Sequence, residues 1–167
     1  MSIAFAHIKD CIWNILKTIP DPEIPVINIV ELGVVRDVDV SKNGVVITIT
    51  PTYMGCPAMT FFENEIKTNL ETLGYKNVKI KKIYTPAWTT DWISDEAKQK
   101  LKEYGIAPPV GKSGLKSELF QSNSTSVNCP YCSDSKTRLI NEFGSTACKA
   151  LYHCDSCNQP FEYFKCH

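Results

Sequence analysis

The sequence has only three histidines, and none of its glutamates stands three residues before one. A carboxylate-bridged diiron centre takes its ligands from such Glu-x-x-His pairs on long helices, so this chain is not a diiron oxygenase. Gly-x-Gly-x-x-Gly is absent too, which removes the usual phosphate cradle of flavin and nicotinamide enzymes. No apolar run reaches the length of a bilayer span. The opening MSIAFAHIKD lacks a basic leader and meets charge by Lys9, so a signal peptide is not expected and the cytoplasm is the expected compartment. Charge of one sign is also missing. Residues 1–110 carry 12 basic and 13 acidic side chains, net −1, and residues 111–167 carry 6 and 5, net +1. Neither part has the basic excess that binding a phosphate backbone requires, so nucleic acid is not an expected partner.

Cysteine, by contrast, is plentiful, with eight in 167 residues. In a reducing compartment these read as metal ligands or reactive thiols rather than disulfides. CPYC (129–132) and CDSC (154–157) form two C-x2-C pairs with 21 residues between them. Each pair can turn both thiolates onto one ion, and four sulfurs close a tetrahedral shell. With TRLINEFG and KALYHC as short strands between the pairs, the segment 129–167 is expected to be a zinc ribbon. A core that small needs the metal for its folding energy. Structural zinc on Cys129, Cys132, Cys154 and Cys157 is the first expectation; iron or a cluster uses the same ligand set and stays open. Cys148 shares strand parity with Cys154. Cys148 and Cys166 are candidate accessory thiols, either packing groups or ligands of a second metal.

Upstream, apolar residues at three-and-four spacing over 3–19 predict an amphipathic helix ended by Pro20, with Cys11 as a small hydrophobe on or beside its stripe. DPEIPV, with prolines at 22 and 25, predicts a stiff loop presenting Asp21 and Glu23. Alternation predicts strands at 34–40 and 45–50, joined at Asn43-Gly44. A helix is predicted over 57–73, closed by Gly74, then a strand at 76–84 and a helix capped by Ser94 that ends at Gly105. The fold class is α+β: a small mixed sheet with helices over residues 1–106, a linker at 107–128 rich in Pro, Gly, Ser, Thr and Asn, and the ribbon.

One cysteine stands apart. In TPTYMGCPAM (50–59), Cys56 follows a strand and precedes Pro57, which suits the first helical position. That makes Cys56 the helix N-cap, where orphan N–H groups and the helix dipole favour a thiolate. The residues alone leave two readings, an inert packed thiol or a soft ligand. No histidine partner is evident, which argues against a cysteine hydrolase. Asp21 and Glu23 make better hard ligands, hydrogen-bond acceptors or partner contacts than activators of a nucleophile, because carboxylates disfavour a nearby thiolate.

DPEIPVINIVELGVV, TPTYMGCPAM and TPAWTTDWIS resemble the iron–sulfur assembly factor domain of SufT-like proteins, over roughly residues 8–105. With CPYC, FGSTACKALYHCDSC and PFEYFKCH added, the whole chain is similar to the PaaD family, accessory proteins of the multicomponent phenylacetyl-CoA epoxidase of aerobic phenylacetate degradation. The resemblance implies a maturation factor with no catalytic residues of its own, serving the epoxidase components and above all the reductase with its 2Fe–2S cluster. It implies that Cys56 is the functional thiol or ligand of a transient iron or iron–sulfur cluster, that Asp21 and Glu23 form the acidic motif, and that Cys148 belongs to the family pattern. A homodimer bridged through two Cys56 thiols is one arrangement this reading admits. The alternative is a non-catalytic structural subunit of the epoxidase complex.

Overall fold

The computed structural model describes residues 3–110 and 127–165. The chain divides into two compact units, Met1–Trp88 and Thr89–His167. This division falls well before the expected boundary after residue 106. Its physical reason is a strand at Ile106–Ala107, which the sequence does not announce and which pairs within the second unit.

The N-terminal unit opens with α1 (Ile3–Leu16). Its stripe of Ile12 and Leu16 is fully buried, and Ile19, just beyond the last turn, is buried as well. The helix ends at Leu16 rather than 19, because Thr18 and Ile19 tighten into bonds to the Ile15 and Leu16 carbonyls at 3.0 and 3.2 Å before Pro20. Strands β1 (Val35–Ser41) and β2 (Gly44–Ile49) pair antiparallel. Ser41 faces Gly44 across the turn, so Lys42 and Asn43 are the loop residues and Gly44 already opens β2, whereas Asn43-Gly44 predicts a turn one residue later. Gly44 has φ +138°, and a Cβ there would stand 2.6 Å from the Asn77 carbonyl oxygen. The position therefore needs glycine for close approach as well as for its backbone angle.

After β2 the chain loops through Cys56 into α2 (Ala58–Thr72) and returns as β3 (Val78–Lys82), parallel to β2. The sheet order β1-β2-β3 makes β2 central. Met59, Phe62, Ile66 and Leu70 form the buried stripe of α2, and Val35, Val38, Val45, Ile47, Ile49 and Val78 are buried on the sheet's core face.

The C-terminal unit starts with a single 3₁₀ turn at Thr90–Trp92 and α3 (Asp95–Glu103). Ser94 caps α3, its hydroxyl accepting the Ala97 N–H at 3.1 Å, as the sequence predicts. Next comes β4 (Ile106–Ala107), only two residues long. It pairs parallel with β7 (Pro160–Phe164), Ile106 opposite Glu162 and Ala107 opposite Tyr163. With β5 (Thr137–Asn141) and β6 (Lys149–Cys154) the second sheet runs β4-β7-β6-β5. Residues 106–107, placed by composition at the edge of a linker, are thus part of the ribbon's sheet. Val127 is likewise buried, and its carbonyl accepts the Thr137 hydroxyl at 2.6 Å. The middle of the expected linker, and Cys166, lie outside the described residues. No helix among the described residues is long and apolar enough to cross a membrane.

Candidate functional site

Each C-x2-C pair folds into the same knuckle. Its first cysteine donates its N–H to a carbonyl five residues on: Cys129 to Asp134 and Cys154 to Gln159, both at 2.9 Å. The residue after its second cysteine turns left-handed, Ser133 at φ 63° and Asn158 at φ 59°. That reversal lets the chain double back so both thiols of a pair point the same way. Cys129 and Cys154 are fully buried in a cluster with Ala107, Val127 and Phe161, while Cys132 is exposed.

The four sulfurs all lie within 4.8 Å of one another. Cys129 Sγ is 3.7 Å from Cys157 Sγ, and Cys132 Sγ is 3.5 Å from Cys154 Sγ. Sulfurs at the corners of a tetrahedron with Zn–S near ~2.3 Å stand ~3.8 Å apart, so the set fits a tetrahedral ion closely. The thiols do not ionise alike. Hydrogen bonding from the Cys157 N–H, with further help from the Ser156 N–H, lowers Cys154 to about 7. Burial, reinforced by the neighbouring sulfurs, pushes Cys157 up to about 12. Four thiolates this close repel one another, so full ionisation calls for a cation in their midst.

Around the second knuckle, Asp155 accepts from Arg138 Nε at 3.1 Å and lies 3.2 Å from His153 Nδ1. The Arg138 hydrogen bond, then that of His153, holds the Asp155 carboxyl below its ordinary value. The network pins the turn to β5 and β6, and nothing in the residue spacing signals it.

Cys148 does not join the metal ligands. The strand parity it was expected to share with Cys154 does not apply, because Cys148 lies in the turn before β6, which begins at Lys149. Its sulfur lies 3.1 Å from the Thr146 hydroxyl, in the loop between β5 and β6. Beside that loop the buried Lys149 ammonium pairs with half-buried Glu162 at 2.9 Å. Sequence reasoning missed β7, which supplies Glu162. Its aromatic run PFEYF, directly after a turn, was the available signal.

Hydrogen bonds within the N-terminal unit join the segments that carry the family resemblance, the third of them only through Trp88. The Thr50 N–H donates to the Val34 carbonyl at 2.9 Å, and the Trp88 indole N–H donates to the Leu32 carbonyl at 3.0 Å. Cys56 sits in the loop that leaves the C-terminal end of β2, where open α/β sheets commonly place their ligands. It is half-buried, between Gly55 at φ 85° and Pro57, with Met54 77% exposed. Its N–H donates to the Tyr53 carbonyl and its own carbonyl accepts from Met59, both at 3.3 Å. Pro57 has helical angles, φ −68° and ψ −25°, and stands at the N-cap; no side chain caps α2. Cys56 is therefore one residue outside the expected cap, because Pro57, lacking an N–H, already takes the helical angles.

Asp21 differs more from expectation. It is buried, and its Oδ1 accepts the N–H groups of Glu23 and Ile24 at 2.8 and 2.9 Å. The proline-rich loop turns this carboxylate inward as its own brace and leaves Glu23 exposed. Cys11, expected to pack, is half-buried with its sulfur 3.5 Å from His7 Nδ1. Among the described residues, the four ribbon cysteines are the one group of three or more such side chains close enough to share an ion; Asp21, Glu23 and Cys56 do not form another.

Residues 116–165 match the family model of the PaaD zinc beta ribbon domain, and residues 9–81 match that of the iron–sulfur cluster assembly protein. Over 155 residues the chain is 50% identical to an Escherichia coli protein that carries the name of a 1,2-phenylacetyl-CoA epoxidase subunit, covering 93% of this chain and 91% of that one. It is 38% identical over 103 residues to an Fe-S protein maturation auxiliary factor of Porphyromonas gingivalis, covering 60% of this chain and 97% of the relative. Among solved structures, a domain of unknown function, DUF59, from Bacillus anthracis superposes with a TM-score of 0.56 at 28% identity, covering 59% of this chain and 95% of that one.

Proposed function

This chain belongs to the PaaD family of 1,2-phenylacetyl-CoA epoxidase subunits, and from that premise we propose that it matures an iron–sulfur protein of the same multicomponent system, its client being the 2Fe–2S reductase component. The observation that carries this reading is Cys56, a half-buried thiol on the loop beyond the central strand, inside the segment matched by the assembly-protein model. A soft thiolate there takes iron or a cluster as cargo and gives it up to a client whose own cysteines complete the shell. Exposed Met54 and Glu23 are suited to client contact, and Asp21 holds the acidic loop in shape.

In the ribbon, Cys129, Cys132, Cys154 and Cys157 hold zinc. Zinc supplies a redox-inert centre that closes the two knuckles against each other, and no protein group in the shell is left to do chemistry. The protein works in the cytoplasm, where free thiols stay reduced.

The test replaces Cys56 with serine in a host that depends on the epoxidase and measures iron and sulfide per reductase. An apo-reductase beside normally folded accessory protein is the expected result; a fully loaded reductase overturns the proposal. The subunit name of the Escherichia coli relative favours a second reading, a non-catalytic structural subunit. Fixed-stoichiometry co-purification with the oxygenase, unaffected by Cys56→Ser, would establish that reading instead.

A further inference from the structure

Side chains alternate across the faces of the first sheet, and the register of β1, β2 and β3 sorts them into rows. Val40, Val45 and Val78 line up across the core face, as do Val38, Ile47 and Ile80. The opposite face carries two other rows: Asp39, Val46, Lys79 and Asp37, Thr48, Lys81. The four charged residues are exposed, with Val46 and Thr48 half-buried between them. Charge on this face is separated by strand. Both acids stand on β1 and both lysines on β3, each acid level with one lysine.

Lysines on an edge strand protect it from unwanted pairing. That role does not call for acids of opposite sign on the far edge at matching levels. Local neutralisation is also incomplete. Asp37 meets Lys9 of α1 at 3.1 Å, with the two side chains 60% and 42% exposed. Among the described residues Asp39, Lys79 and Lys81 form no ion pair. Lys82, one residue on, points to the other face and bonds Glu63 of α2 at 3.0 Å.

We propose that this face binds a second copy of the chain, sheet against sheet, about a two-fold axis running along β2. The choice of axis follows from the charges. A two-fold in the sheet plane but across the strands would lay β1 over β1, acid on acid. A two-fold along the strands lays β1 of one copy over β3 of the other while keeping every residue at its level. Asp39 then meets the partner copy's lysine at position 79, and Asp37 the lysine at 81. Each pairing occurs twice by symmetry, and Val46 and Thr48 meet themselves on the axis. Such a contact is isologous and closes at two copies.

Two consequences follow. The face is three strands wide, at ~4.8 Å per strand and ~3.3 Å per residue along them. An interface of that size belongs to the weak, reversible class. The axis also sets the C-terminal ends of both β2 strands at the same end of the pair. Helix α2, with Cys56 at its start, packs on the side away from the partner. Both thiols stay open to clients, and no cluster is bridged between the copies. The inference does not rest on the proposed maturation role.

Sedimentation of the metal-loaded full chain over a range of concentrations tests the proposal. Reversible dimerisation is expected, about tenfold weaker at high salt than at low salt. The doubly reversed variant Lys79→Glu, Lys81→Glu should be monomeric, and so should Asp37→Lys, Asp39→Lys. Mixed together, the two should form a heterodimer, since one presents only acids and the other only bases. Lys79→Gln with Lys81→Gln serves if a reversal fails to fold, and should weaken the dimer at least about tenfold. A wild type that stays monomeric at low salt overturns the proposal. So does a dimer indifferent to these substitutions, a mixture that does not associate, or a lysine reversal that affects only the binding of a foreign protein.

Discussion

The Lys149 ammonium lies 2.9 Å from one oxygen of Glu162, with only 4% of the lysine side chain exposed, while the other oxygen of Glu162 accepts the Ser145 N–H at 2.6 Å. One carboxylate thus fastens the β5–β6 loop to β7 and neutralises a buried cation. Replacing Glu162 with alanine strands that cation, and the expected loss is about 3 kcal/mol. Chemical denaturation of the metal-loaded chain measures it. A change under about 0.5 kcal/mol, the size usual for surface substitutions, would contradict the assignment.

The same pair sets an acid dependence. Burial works to raise the Glu162 carboxyl, but the Lys149 hydrogen bond and the Ser145 N–H outweigh it and hold the group below its ordinary 4.5. A carboxyl lowered in the folded state stabilises above its unfolded value, and that contribution is lost as pH falls through the folded one. The stability difference between wild type and Glu162→Gln should therefore be constant near neutrality and shrink below about pH 4.5. A difference that grows on acidification would reverse the sign.

Removing the ribbon's metal should unfold one unit and spare the other. The cluster around Cys129 and Cys154 has few apolar members, Ala107, Val127 and Phe161 among them. A core of that size depends on the ion. With a strong chelator, amide signals from β5, β6 and β7 should collapse while those of β1, β2 and β3 persist. Cys154→Ser should give the same pattern without chelator. Joint collapse of both units would show that the ion supports the whole chain.

Asp21 and Glu23, close together in one acidic motif, should separate by phenotype. Asp21→Ala removes an acceptor that two loop N–H groups use, at an expected cost of about 1–3 kcal/mol. Glu23 is exposed, so Glu23→Ala should leave stability within about 0.5 kcal/mol. Any effect of Glu23→Ala must then appear in cluster delivery to the client. Thermal unfolding alongside iron and sulfide content of the reductase distinguishes the two.

Two backbone positions give a matched pair of opposite sign. Gly44→Ala places a Cβ 2.6 Å from the Asn77 carbonyl at φ +138°, and should destabilise by about 2 kcal/mol. Ser133→Gly relieves a left-handed serine at φ 63° in the first knuckle, and should stabilise by about 1 kcal/mol. Denaturant midpoints of the metal-loaded variants check both.

Local signals carried much of the fold. The stripe that buries Phe62, Ile66 and Leu70 was readable at helical spacing, and the cap at Ser94 by residue type. Position within the local signal was less secure. The hairpin turns at Lys42–Asn43 because Gly44 must pass Asn77, a residue more than thirty positions away. β4 escaped notice because two residues have no period, and pairing with β7 alone makes them a strand.

By itself the sequence determined which groups can do chemistry. Thiols spaced for knuckles, a cysteine set between Gly55 and Pro57 and the absence of a Glu-x-x-His pair are matters of residue type and short-range order. Tertiary structure decided where those groups stand. It turned Asp21 inward and left Glu23 outside, kept Cys148 a strand's length from the ribbon sulfurs, and ranked Asp37, Asp39, Lys79 and Lys81 in level rows on one face. These outcomes depend on which segments pack and in what register. Contacts between residues far apart in the chain set both, and no local window of sequence contains them.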